Sequence, residues 1–176
     1  NIRHFDSVKT LLDHSDSIYL CHPILGHYEF AIEAVKNTKH IFIEKPVSLN
    51  LEETANLLKL SHEAQLKIQV AFPERFNPAF SLAKTFFNNP MFIETHRLSA
   101  FNGSNADIPV IYELMVNDID ILLSSIKSNV KKISASGVAI VSNTYDIANA
   151  RLEFDNGCVA NITSSRISLQ NMTKSR

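Results

Sequence analysis

Glu44-Lys45-Pro46 directly follows a short apolar run, His40 to Ile43, and a helix-like pattern resumes after Asn50. That order reads as buried strand, polar loop, then helix. Lys45 therefore belongs at a strand's carboxyl end. Open α/β sheets bind ligands at that edge, because strand tips and the helix N-termini after them open into one crevice. On position alone, a solvated loop lysine fits equally well. Two further clusters hold equivalent places, His22-Pro23 with His27 and Glu74-Arg75-Phe76-Asn77. Arg75 could pair with a phosphate or carboxylate on a ligand, or with its neighbour Glu74. His27 could be a catalyst or simply start a helix. A fourth cluster joins Glu113 and Asn117 to Asp118 and Asp120. Glu113 and Asn117 are four apart on a predicted helix, so they share a face and can reach one ligand. Asn117 could instead satisfy a neighbouring backbone group.

The elements that must position these residues alternate. Val8, Leu11 and Leu12 mark one face of a helix over 6–14, with Asp6 or Ser7 as N-cap. A strand over 17–21 ends at His22-Pro23, where proline stops the ladder. A helix over 27–37 buries Phe30, Ala31, Ala34 and Val35, and is followed by the strand at 40–43, a helix after Asn50 and a strand over 67–71. Strand and helix in turn, with short loops, predict parallel strands joined by right-handed crossovers. After Phe72-Pro73 the character changes. A helix over 77–88, a strand over 91–101, a loop over 102–108 and a long helix over 109–126 lead into strands over 130–141, 145–154 and 159–168. Asp155-Asn156-Gly157 is a hairpin signal, since Asn-Gly supplies positive φ angles. The expected organisation is α/β: the C-terminal half of a doubly wound parallel sheet over 1–73, followed by an α+β part over 74–176, a mostly antiparallel open sheet with helices on one side.

Seventeen basic residues against eighteen acidic ones leave no global field to recruit nucleic acid or an anionic membrane. Cys21 and Cys158 lie far apart without metal-type spacing and read as buried thiols in a reducing compartment, with no metal site. No run is long enough to span a bilayer, and a cytoplasmic location is expected. The chain lacks an initiator Met and begins within a pattern, as a piece of a longer protein does. Arg97, Arg151 and Arg166 fall on the antiparallel strands and are expected to be solvated or interfacial. Phe72, Phe76, Phe80, Phe86 and Phe87 are expected to form core.

The run HPILGHYEFAIEAVKNTKHIFIEKPVSLNLEETANLL, then ERFNPA, then VIYELMVNDIDILL, resembles the Gfo/Idh/MocA family of nicotinamide-dependent oxidoreductases. The closing DIANARLEFDNGCVANITSSRIS is similar to the nucleotide-sugar subgroup of UDP-N-acetylglucosamine 3-dehydrogenase type. The resemblance covers nearly the whole chain and implies a Rossmann domain followed by an α/β domain whose sheet forms a homodimer or homotetramer contact. NAD or NADP is the implied cofactor. The family's Gly-rich turn would lie upstream, since none of the four glycines here stands in a G-x-G arrangement.

By this resemblance Lys45 lies beside the nicotinamide and the reacting sugar carbon, donating a hydrogen bond to the hydroxyl or ketone oxygen. Pro46 fixes the exit of the chain, and His22, Pro23, His27 and Glu44 line the cofactor. The family pattern on the long helix is Asp, three residues, His, then Asp-x-Asp. Here Glu113 stands for the Asp and Asn117 for the His. Asn cannot titrate, and losing a positioned proton acceptor costs on the order of 10²- to 10⁴-fold. Glu113 or Lys45 could take over the proton, and Asn117 and Arg75 could hold substrate. The implied activity is hydride transfer between NAD(P) and a secondary hydroxyl or ketone of a sugar or nucleotide sugar. The alternatives are a non-catalytic cofactor- or sugar-binding relative, and a reductase whose substrate needs no histidine proton.

Overall fold

The computed structural model of the chain describes residues 3–103 and 106–176, in two compact units divided between Phe72 and Pro73. In the first unit, β1 (Ser17–Leu20), β2 (His40–Glu44) and β3 (Ile68–Ala71) form a parallel sheet in the order β1-β2-β3, with Ser17 opposite His40 and Ile41 opposite Ile68. The helices are α1 (Val8–Asp13), α2 (His27–Lys36) and α3 (Leu51–Glu63). The starts of α1 and α3 are set by side-chain caps. Ser7 Oγ accepts from Thr10 N–H at 3.2 Å, and Asn50 Oδ1 accepts from Glu52 N–H at 2.8 Å. Glu52 and Glu53 add negative charge where the α3 dipole is positive.

Leu12, Leu20, Ala31, Ala34, Val35, Ile41, Ile43 and Leu57 form the core of this unit. Each large aliphatic side chain there contributes about 1.5–3 kcal/mol by leaving water. Phe30, expected inside, is only half-buried. β1 stops one residue short of the predicted end, which leaves Cys21 outside the ladder and exposed; only Cys158 is a buried thiol.

In the second unit α4 (Pro78–Ala83) begins at the Asn77 cap and is much shorter than predicted, because a 3-10 turn, Lys84–Phe86, follows it. The change of period rotates Phe86 away from the helix face. Phe76 and Phe86 are 81% and 80% exposed, so the expected phenylalanine core does not form; Phe80 and Phe87 keep a ring contact, at 6.1 Å.

β4 (Phe92–Leu98), β5 (Val130–Val138), β6 (Ile147–Phe154), β7 (Val159–Ser165) and β8 (Met172–Ser175) make one sheet in the order β5-β6-β7-β4-β8. The β4–β7 pair is parallel and the other pairs are antiparallel, so the sheet is mixed; β8 was not predicted. Between β4 and β5 the expected single helix is two pieces, a π-helical turn at Ile111–Met115 and α5 (Val116–Ser125). Alternate residues of β6 and β7, Ala148, Ala150, Leu152, Phe154, Ala160 and Ile162, pack with Val110, Met115, Leu122 and Ile126 on one side of the sheet. The β6–β7 turn differs from the Asn-Gly expectation. Gly157 alone has positive φ there, +86°, while Asn156 uses Oδ1 to accept from Cys158 N–H at 3.0 Å.

Candidate active site

In the first unit the loops after β1 and β2 are tied together by one buried ring. His27, 2% exposed at the start of α2, places Nδ1 2.9 Å from the Pro46 carbonyl oxygen and Nε2 2.5 Å from the His22 carbonyl oxygen. Both ring nitrogens face backbone, so His27 holds the two loops and does not offer an edge to a cofactor, as had been expected. Gly26 allows the close approach, since a Cβ there would fall 2.5 Å from His22 Nδ1. The exposed His22 ring packs on Phe30 with centroids 4.8 Å apart and directs Nδ1 at the Pro23 carbonyl, 2.9 Å away.

Glu44 accepts a hydrogen bond from the Tyr19 hydroxyl, which raises the Tyr19 pKa, so this carboxylate is engaged within the sheet. Lys45, half-buried, follows at the strand tip, and the Lys45–Pro46 peptide is cis. Buried Ser48 then locks the entry to α3, donating to the Glu53 carboxylate and accepting from Asn50 N–H at 2.9 Å. His22, Pro23, Lys45 and Pro46 thus stand on two loops held in fixed relation. His22 and Lys45 supply the polar side chains of these loops, beside the two prolines. None of the three strands ends in a Gly-rich turn that could cradle a dinucleotide's diphosphate.

The second unit is organised by three arginines with carboxylate partners. Arg75 forms a two-point contact with Asp120, Nε to Oδ2 at 2.6 Å and Nη2 to Oδ1 at 2.5 Å, which raises its pKa. That edge is spent on a neighbouring acid, which leaves the substrate-binding role expected of Arg75 without support. Arg97 meets Asp118 through Nε and Nη2 at 2.9 and 3.0 Å and Glu74 through Nη1 at 2.8 Å. Burial pulls its pKa down, but the two carboxylates more than offset that. Arg166 donates to Asp146, Glu113 and the segments around them. Arg97 and Arg166 are 9% and 3% exposed, contrary to the expectation of solvated strand arginines; only Arg151, beside Glu153 at 3.6 Å, fits it. The acids that Arg97 and Arg166 meet lie far away in sequence. Burial opposes ionisation of Asp146, yet the N–H groups of Ile140 and Val141, the Ser142 hydroxyl and Arg166 hold its pKa well below the usual carboxylate range.

A cavity of about 510 Å³ opens in this unit, its polar wall made by Arg97, Ser99, Asn102, Glu113, Arg166 and Asn171. Glu113 reaches it from the π turn. Asn117 does not line it; it is 6% exposed and its Nδ2 donates to the Leu114 carbonyl at 3.1 Å. The shared face predicted for Glu113 and Asn117 assumed a regular α-helix. A π turn over Ile111–Met115 interrupts that helix, and the sequence carries no plain signal for it. Asn171 comes to the cavity just before the unpredicted β8, while Ser99 and Asn102 follow the end of β4, where no motif marks them in the sequence.

Among the described residues no three His, Cys, Asp or Glu side chains could hold a metal ion, and no helix is long and apolar enough to cross a membrane. Residues 1–72 match the model of the GFO_IDH_MocA oxidoreductase family, NAD-binding Rossmann fold. The chain is 34% identical over 166 residues to UDP-N-acetylglucosamine 3-dehydrogenase of Acidithiobacillus ferrooxidans, covering 94% of this chain and 53% of that protein. The solved structure of the A. ferrooxidans enzyme superposes with a TM-score of 0.91 at 32% identity, covering 99% of this chain and 58% of that one. The scyllo-inositol 2-dehydrogenase (NAD(+)) of Bacillus subtilis is 26% identical over 169 residues, 87% of this chain and 49% of that protein. The chain spans about half the length of these relatives. With parallel strands leading to Glu44-Lys45-Pro46 in one unit and Glu113 on the wall of a polar cavity in the other, these likenesses identify residues 1–72 as a part of the Gfo/Idh/MocA oxidoreductase family and the whole chain as similar to a UDP-N-acetylglucosamine 3-dehydrogenase.

Proposed function

We propose that the full-length protein is an NAD(P)-dependent dehydrogenase acting on a secondary hydroxyl of a sugar ring, with a nucleotide sugar as the preferred substrate. The observation that carries this reading is Glu113 on the wall of a polar cavity whose arginines are already neutralised. Arg97 is matched by Asp118 and Glu74, and Arg166 by Asp146 and Glu113. A phosphate placed about 4 Å from Glu113 would meet repulsion on the order of 4 kcal/mol at an effective dielectric of 20. An uncharged ring rich in hydroxyls meets no such cost and finds Ser99, Asn102 and Asn171 as hydrogen-bonding partners. The similarity to a UDP-N-acetylglucosamine dehydrogenase favours a nucleotide sugar, with its diphosphate outside this cavity.

When bound, the nicotinamide supplies an acceptor for the hydride that leaves the ring carbon with its bonding electrons. Lys45 donates a hydrogen bond to the reacting oxygen and stabilises its negative charge as the C–O bond becomes a carbonyl. Glu113 accepts the hydroxyl proton, the role that Asn117 cannot fill. His22, Pro23 and Pro46 shape the nicotinamide side, with His27 holding their loops. We place the protein in the cytoplasm and assign its homodimer or homotetramer contact to the sheet of the second unit, a reading supported by the exposure of β5, including Ile133 and Val138.

One observation favours the second reading, a binding protein that has lost turnover: the Asn117 amide is satisfied by Leu114. The two are separated by mixing the protein with NAD or NADP and a panel of UDP-sugars and polyols while following nicotinamide absorbance. Reduction with a nucleotide sugar supports the dehydrogenase, binding without reduction supports the second reading, and neither result leaves both without support. Asn117→His is expected to leave the turnover of a folded variant unchanged, because position 117 lies off the cavity and Glu113 takes the proton. A gain of about 10²-fold would show instead that the titrating group missing from position 117 is the step that limits turnover.

A further inference from the structure

We propose that Arg166 is the positioning residue for Glu113, fixing the direction of the site carboxylate by tying it to the loop between β5 and β6. This rests on the reading of Glu113 as the proton acceptor. The guanidinium is pinned on every side. Nε donates to Asp146 Oδ1 at 2.9 Å, and Nη1 is shared between the Ile108 carbonyl at 2.6 Å and Glu113 Oε2 at 3.3 Å. Nη2 meets Thr144 Oγ1 at 2.5 Å, Ser142 Oγ at 3.0 Å and the Tyr145 carbonyl at 3.2 Å.

Asp146 is itself immobile. Its Oδ2 accepts from the N–H groups of Ile140, Val141 and Ser142 at 2.7, 2.8 and 3.1 Å, and it has no exposed surface. The planar fork therefore transmits the position of a rigid loop to one carboxylate oxygen on the cavity wall. The same group clamps Ile108, at the entry to the π turn that carries Glu113. A lysine could keep the attraction to Asp146 as a point charge, but one ammonium cannot span Asp146, Ile108 and Glu113 together.

The test is a double-mutant cycle in the full-length protein. Arg166→Lys is expected to lower kcat by about 10- to 10²-fold through loss of orientation, with the dissociation constant of the nicotinamide cofactor unchanged. Glu113→Gln is expected to lower it more. The decisive reading is the pair: in the Glu113→Gln background, Arg166→Lys should cause no further loss, because the group it positions is gone. Losses that multiply, or an Arg166→Lys enzyme of normal rate, overturn the inference and leave the site reading intact. A Glu113→Gln enzyme of normal rate overturns the site reading, and the inference with it. Thr144→Val loosens Nη2 and spares the Asp146 pair; it should give a smaller loss, again absent in the Glu113→Gln background, and serves as the test if Arg166→Lys does not fold.

Discussion

Lys45→Met is expected to lower turnover by about 10²- to 10³-fold, the usual loss when one donor to a developing oxyanion is removed. Methionine keeps the length and apolar stem of lysine, so the loop should survive. That loop is also held from outside the side chain, by the His27 contact to the Pro46 carbonyl and by Ser48 at the start of α3. Cofactor affinity, read by fluorescence titration with reduced nicotinamide, should change little, while kcat and kcat/KM for the sugar fall together. That pattern marks an interaction made in the transition state. A variant that loses only cofactor affinity would move Lys45 from catalysis to binding.

The largest stability effect is expected at Asp118. Asp118→Ala leaves Arg97 buried with Glu74 as its remaining carboxylate among the contacts described above, and breaking a buried pair costs about 3–5 kcal/mol. Asp118 and Arg97 side chains are 3% and 11% exposed, so water does not replace the lost partner. Urea unfolding of the second unit should show the loss as a lower midpoint with an unchanged slope. Replacing both partners, as Arg97→Met with Asp118→Leu, should recover much of it, since neither buried charge remains and the Glu74 side chain, 27% exposed, reaches water. A single-variant loss below about 1 kcal/mol, the range of surface pairs, would contradict the burial argument.

What could be read from the chain without coordinates follows from how local each signal is. The parallel sheet and the place of Lys45 depend on short apolar runs and on nearby caps such as Ser7 and Asn50, all within a few residues of each other. The arginines were misread because their acids lie 20 or more positions away: Arg97 with Asp118 at 21 and Arg166 with Asp146 at 20. Arg75 and Asp120, 45 apart, show the same difficulty. Asn117 followed from helix periodicity, which the π turn interrupts without a proline or glycine to announce it. β8 escaped notice because four exposed residues, Met172–Ser175, show no alternation of buried and exposed positions.

Hydride transfer from a sugar carbon, with a lysine and a carboxylate in attendance, is open to an isotope experiment. A nucleotide sugar deuterated at the ring carbon to be oxidised is incubated with the full-length protein and oxidised cofactor, and the reduced nicotinamide is analysed by mass spectrometry and proton NMR. Deuterium is expected on one face of the nicotinamide ring in the wild-type reaction. Tight binding of both ligands with no deuterium on the nicotinamide would rule out hydride transfer by this protein.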